Sequence, residues 1–155
     1  LGLHAAIFQV ILDEAIKLGL LEAEDALVRQ PGHKLIFSET QQTQIERLLR
    51  KFGSSGVNSP SVKEAKAQVG EDVYLALVDL KKVQPIGSEV VYTTEIYDRI
   101  CQQITDFLQK NGTITAGEVR DLLQTSRKYA IALLEHLDDR RVTRRVDDKR
   151  ELFRR

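Results

Sequence analysis

Apolar residues along this chain recur first at helical spacing and then, for short stretches, at alternate positions. In residues 3–19, Ile7, Val10, Ile11, Ala15 and Leu18 fall near one helical face, and Gly19 follows as a C-cap. Residues 20–28 are mixed, Pro31-Gly32 signals a turn, and Leu35-Ile36-Phe37 predicts a strand. Residues 43–52 are helical again, with Ile45, Leu48, Leu49 and Phe52 on one side and Gly53-Ser54-Ser55-Gly56 as a flexible stop. Asn58-Ser59-Pro60-Ser61 is a turn able to start a helix over 62–69. A third helix is expected over 71–83, on the spacing of Val73, Leu77, Val78 and Leu80. Pro85, Gly87-Ser88 and the run Glu89-Val90-Val91-Tyr92 then predict strand, turn and strand.

The next segment repeats that layout. Residues 94–109 carry Ile96, Ile100, Ile104, Phe107 and Leu108 inward, and Asn111-Gly112 stops the helix. Thr115 with Glu118 has capping-box spacing for a short helix through Leu123. Residues 126–137 form the third helix, Val142, Arg144 and Val146 alternate as a strand, Asp147-Asp148 turns, and 150–153 returns. Tyr74-Leu75-Ala76-Leu77-Val78-Asp79 aligns by letters with the stretch from Tyr129 to Glu135, a period of about 55 residues that signals tandem units.

Three helices followed by a hairpin is the winged helix-turn-helix arrangement. The predicted fold is therefore mainly α with small β-hairpins, an α+β class of tandem winged helices. Residues 39–93 form one unit acting as a spacer, 94–155 a second that binds the ligand, and 1–38 the C-terminal part of a preceding copy. A unit of about 60 residues has a small core, so packing in tandem also has a structural purpose.

Composition sharpens this picture. With 42% hydrophobic and 30% charged residues, the 155-residue chain reads as folded rather than disordered. It has no apolar run of membrane-spanning length. The lone Cys101 cannot close an internal disulfide, which fits a reducing, cytoplasmic setting. The chain has no Met and starts at Leu1, so a piece of a longer protein is expected. Net charge is zero, yet its distribution is uneven: residues 140–155 hold 8 basic and 3 acidic side chains.

The candidate chemistry lies at Gln124-Thr125-Ser126-Arg127-Lys128-Tyr129 and in the basic hairpin behind it. On the helix from Ser126, Ala130, Leu133, Leu134 and Leu137 form the core stripe, while Lys128, Ala132 and Glu135 face away. The helix start offers unpaired N–H groups and a positive dipole end that suit a phosphate. Glu135 repels a backbone, so contact is expected from the first turn only. Arg144, Arg145, Lys149 and Arg150 bracket the hairpin turn, and Arg144 and Arg145 point to opposite faces. A duplex RNA major groove is too deep and narrow for a helix, so one helix tip and one wing suit a loop or bulge. Tyr129 either stacks on a base or packs at the rim of the core. The middle unit opens its third helix with Gly70-Glu71-Asp72, which repels phosphate and leaves at most minor contacts through Lys63, Lys66, Lys81 or Lys82. His4, His33, His136 and Cys101 have no metal-ligand spacing, and no phosphate loop or nucleophile–base set marks an enzyme.

Ser126 to Glu135, then Asp138 and Val142-Thr143-Arg144-Arg145-Val146, resemble the last winged helix of bacterial selenocysteine-specific elongation factors, the SelB family. The resemblance implies a C-terminal array of four winged helices that binds an mRNA hairpin, the selenocysteine insertion element. It implies GTP and Mg only for an upstream part, with no cofactor in this fragment. It implies the ribosome and selenocysteyl-tRNA as partners of the full-length factor, no membrane, and a monomer. Arg141 stands where members of the family usually have Gly between helix and wing, so the turn there is expected to differ. The alternatives are a DNA-binding winged helix of a transcription regulator and a protein-interaction scaffold.

Overall fold

The computed structural model of the chain describes residues 5–24, 27–31 and 36–153. The chain divides into two compact units, Leu1–Ile36 and Phe37–Arg155. His4, His33, Gly32 and Leu35 lie outside the described residues.

In the first unit, helix α1 (Ala5–Lys17) is followed by strands β1 (Glu22–Glu24) and β2 (Leu27–Arg29), paired antiparallel with Ala23 opposite Val28. The strand expected over Leu35-Ile36-Phe37 is not formed at Ile36 and Phe37, which are both irregular, and the described hairpin lies in the mixed stretch before them.

The second unit carries two sets of three helices and a hairpin. The first set is α2 (Glu39–Ser55), α3 (Val62–Val69), α4 (Glu71–Asp79), β3 (Val83–Ile86) and β4 (Val90–Thr93). The second set is α5 (Thr94–Asn111), β5 (Thr113–Thr115), α6 (Ala116–Leu123), α7 (Arg127–Asp139), β6 (Thr143–Val146) and β7 (Lys149–Leu152). The result is a mixed α/β, winged-helix-like fold with small antiparallel sheets.

Caps set most of these boundaries. Ser38 with Gln41, Ser61 with Glu64 and Thr115 with Glu118 each form a complete capping box, and Thr93 caps α5 through the Ile96 N–H. Each such cap contributes about 1 kcal/mol. Along α5, Ile96, Ile100, Ile104 and Leu108 repeat every four residues and are all buried. On α7 the buried residues are Ala130, Leu133, Leu134 and Leu137, the stripe expected from periodicity. Both sets share one apolar cluster, with Leu48, Phe52, Leu77, Ile86 and Tyr92 from the first and Ile104, Ile114, Leu133 and Leu137 from the second among its best buried members.

Three sequence expectations change. Helix α4 stops at Asp79 instead of running to Val83: Lys81 turns left-handed (φ 55), and Val83 starts β3. The Gly53–Ser55 stop is still helical, because α2 continues to Ser55 and closes at Gly56. Strand β5, absent from the sequence reading, pairs with β7 and makes a three-stranded sheet in the order β5-β7-β6. In the first set only a single bridge, Ser61 to Val90, stands in that place.

The two sets end their third helices in the same way. Lys81 N–H donates to Val78 O and Lys82 N–H to Leu77 O, both at 2.9 Å. Arg141 N–H donates to Asp138 O at 3.0 Å and Val142 N–H to Leu137 O at 2.9 Å. This is the paired closure of a Schellman motif, with Lys81 and Arg141 in the left-handed position that glycine normally takes. Aligned on this closure, Asp79 matches Asp139; aligned on their starts, Glu71 matches Arg127. The register therefore drifts from the 55-residue letter match, because α7 has 13 residues where α4 has 9.

A left-handed conformation costs an L-residue roughly 1–2 kcal/mol, and glycine loses more chain entropy on folding. Arg141→Gly is therefore expected to stabilise the fold by about 0.5–1 kcal/mol in urea unfolding. Destabilisation would contradict the assignment of strain to this turn.

Candidate nucleic-acid interface

The stretch from Gln124 to Tyr129 joins α6 to α7 and is fastened on one side. Gln124 closes α6 in a left-handed conformation (φ 49) and is exposed. Thr125 Oγ1 donates to Asn58 Oδ1 at 2.8 Å. Tyr129 OH donates to Ser59 O at 2.8 Å, and the ring packs against the core. Lys128 forms an ion pair with Glu89, in the turn between β3 and β4. Each partner holds the other charged: the Glu89 carboxyl lies below its ordinary range, and the Lys128 ammonium above its own.

Three of the six residues thus face protein. The structure favours the rim-packing alternative for Tyr129, and it ties Lys128 to a carboxylate. Nothing in the sequence marks Asn58, Ser59 and Glu89 as their partners, because contacts 67 and 70 residues apart leave no local pattern.

The other side is uncommitted. Ser126 is the N-cap of α7 but its side chain makes no capping bond, unlike Ser38, Ser61, Thr93 and Thr115. Arg127 is exposed and has no carboxylate partner among the described residues. The first turn of α7 holds no acidic residue, so its N–H groups and dipole remain available to an anion. Glu135 is exposed two turns further along.

The wing sorts its cations by register. Arg144 lies opposite Glu151 and bonds it at 3.1 Å, while Arg145 lies opposite Arg150 on the other face. Arg145 Nε donates to Asp147 O at 2.8 Å, and Lys149 is exposed. Arg150 corrects the sequence reading. It is 7% exposed, and its Nε donates to Asp138 Oδ2 at 2.9 Å, while Thr143 Oγ1 donates to Asp138 Oδ1 at 2.6 Å. Arg150 belongs to the inside of the fold because it neutralises the half-buried Asp138, and it is not presented to a ligand.

In the first set, Lys66 pairs with Glu71 at 2.6 Å and sits over the Tyr74 ring. Among the described residues, no group of three or more His, Cys, Asp or Glu side chains could hold a metal ion. Cys101 is half-buried beside Tyr97, and burial pushes its thiol up. His136 Nε2 lies 3.2 Å from Tyr97 OH, with the two rings edge to face.

Comparisons with known proteins agree on one family. Residues 106–152, from the last turns of α5 to the end of the wing, match the family described as elongation factor SelB, winged helix. The chain is 25% identical over 160 residues to the selenocysteine-specific elongation factor of Desulfomicrobium baculatum, covering 99% of this chain and 25% of that protein. It is 27% identical over 147 residues to the Escherichia coli K12 factor of the same name, covering 90% and 23%. The chain thus spans about a quarter of the length of these curated relatives. Among solved structures it is similar to the mRNA-binding domain of elongation factor SelB from E. coli in complex with SECIS RNA. The TM-score is 0.59 at 25% identity, over 76% of this chain and 100% of that one. A bacterial selenocysteine-specific elongation factor, EF-Sec, shares the fold with a TM-score of 0.59 at 20% identity, over 98% of this chain and 24% of that one. The chain resembles the winged-helix part of these factors.

Two outcomes follow for the fold around the site. Asp138→Ala leaves Arg150 buried without its carboxylate and is expected to cost about 3 kcal/mol in urea unfolding; a loss under about 1 kcal/mol would mean that the pair behaves as a surface bridge. His136 is held below its ordinary 6.5 by burial first and by Arg140 second, against Asp139. The unfolded chain therefore takes up a proton near pH 6.5 before the folded chain does, so stability is full above that pH and falls below it. Unfolding at pH 5.5 and 7.5 should show this difference, and His136→Gln should reduce it.

Proposed function

We propose that this chain is the mRNA-gripping arm of a selenocysteine-specific elongation factor, and that it binds a hairpin of the selenocysteine-insertion type. In this reading, residues 39–93 and 94–155 are tandem winged helices and residues 1–38 close a preceding one. α1 with β1–β2 supports this, because it repeats the helix-then-hairpin order of α4 with β3–β4 and α7 with β6–β7. The ribosome and selenocysteyl-tRNA would be reached through the rest of a longer cytoplasmic factor, whose GTP chemistry lies outside this chain.

The observation that carries the reading is the division of the α7 start. Its first turn keeps Arg127, the unused Ser126 hydroxyl and its N–H groups for a ligand, while Thr125, Lys128 and Tyr129 hold it to residues 58, 59 and 89. The unit that matches the family is also the one built this way. α4, its counterpart, opens with Glu71 and Asp72 instead. The RNA would meet α7 end-on, with phosphate or a bulged base at Ser126 and Arg127. Arg145 and Lys149 are the wing cations left to follow the backbone, with Gln124 at the edge. Arg145 and Lys149 flank the wing turn from its two faces, and Arg144, on the Lys149 face, stays with Glu151.

Gel-shift titrations with hairpin RNA and with duplex DNA of matched charge, each across salt, separate this reading from a DNA-binding one. Tighter or equal DNA binding would sink it. Arg127→Ala should cost about 1–3 kcal/mol in specific RNA binding, and Lys149→Ala should lower the salt slope by about one unit. No binding to either nucleic acid, with Arg127→Ala silent, would favour a protein scaffold.

A further inference from the structure

A second cationic feature lies where the first set meets α5, away from the start of α7. A cleft of about 440 Å³ opens between the end of α2, the turn from α4 to β3, and the start of α5. Leu49, Val57 and Ile100 supply apolar surface within it, and Lys82 and Arg99 stand among its lining residues with Gln103. Lys82 and Arg99 are both exposed, and neither has a carboxylate partner among the described residues. Lys51 and Lys66 of the first set, by contrast, are each paired with a carboxylate.

The backbone around the cleft is built firmly. The left-handed closure at Lys81 ends α4, and Thr94 then ties the turn before β3 to the start of α5. Thr94 N–H donates to Lys82 O at 3.3 Å, and the Thr94 hydroxyl donates to Lys81 O. Lys82 and Arg99 are thus carried on two elements whose relative position is fixed by hydrogen bonds. Glu95 is the one carboxylate in the lining, so the local balance remains positive.

We propose that this cleft binds one nucleotide unit of a single-stranded nucleic acid, with phosphate on Lys82 and Arg99 and the base over the Leu49–Val57 surface. The pairing of free cations with an apolar floor matches a ligand that is anionic at one end and flat and apolar at the other. Arg99 adds a guanidinium plane on which a base can stack. The volume is suited to one nucleotide and is too small to seat a helix about 10–12 Å across, which disfavours an acidic helical peptide. The site does not depend on the hairpin-binding role of α7: a strand could enter it alone, or as the flank of a bound hairpin.

The test uses the full chain and a short oligouridine followed by fluorescence anisotropy across salt, with a short oligoglutamate as the rival probe. The doubly neutralised chain, Lys82→Gln with Arg99→Gln, should lose most oligouridine binding, and its salt slope should fall by about 0.7–1.4 units. Its affinity for a hairpin RNA without single-stranded flanks should stay at that of the parent, and its thermal unfolding should be unchanged because both residues are exposed. The proposal is overturned if the parent does not bind oligouridine, if the double variant binds it equally well, or if oligoglutamate binds more tightly. Failure of the hairpin RNA to bind would instead count against the proposed function and leave the oligouridine result standing on its own.

Discussion

The short loop from Val57 to Ser61 is the joint on which the second unit depends. Tyr92 OH donates to Val57 O at 3.0 Å, and the buried Ser59 donates its hydroxyl to Val91 O at 2.6 Å. These bonds tie the loop to β4. From the other side, Thr125 and Tyr129 bond Asn58 and Ser59. One loop is therefore held by the hairpin of the first set and by α7 and the junction before it in the second. Buried backbone carbonyls without partners are costly, and here side chains from two different elements satisfy them. Burial holds the Tyr92 hydroxyl well above its ordinary titration range, which keeps it a donor.

The joint explains how the cations are divided. A helix start with two cations and a tyrosine looks like a single reading head. Docking uses Lys128 and Tyr129 to place the helix and leaves Arg127 and the empty cap to face outward. The wing follows the same logic, with Arg150 turned in to Asp138, Arg144 matched by Glu151, and Lys149 left exposed. Lys66, Lys128, Arg144 and Arg150 are offset locally, while Arg127, Arg145 and Lys149 remain exposed.

Much of the fold was legible. The α7 stripe could be read because it buries one face, and the Thr115–Glu118 and Ser61 caps because capping chemistry is local. Where the sequence misled, the reason is physical. Leu80 and Val83 continue an apolar spacing past the end of α4, and the left-handed turn there falls on Lys81, which carries no turn signal. Arg141 does the same after α7. β5 has three residues, too few to show alternation. At the site, composition found the basic hairpin but could not tell an exposed lysine from an arginine aimed at a carboxylate 12 residues back. The partners of Thr125, Lys128 and Tyr129 lie in another set, where no local pattern reaches.

In the proposed complex RNA meets only the open side of the α7 start and the tip of the wing, while the docked side stays on residues 58, 59 and 89. Amide hydrogen exchange of the chain with and without hairpin RNA tests it directly. The predicted result is slowed exchange at residues 126–128 and around the turn at 147–149, with residues 57–61 unchanged. Slowed exchange along the outer face of α7 as far as Glu135, or over α4 with no change at 126–128, would contradict it.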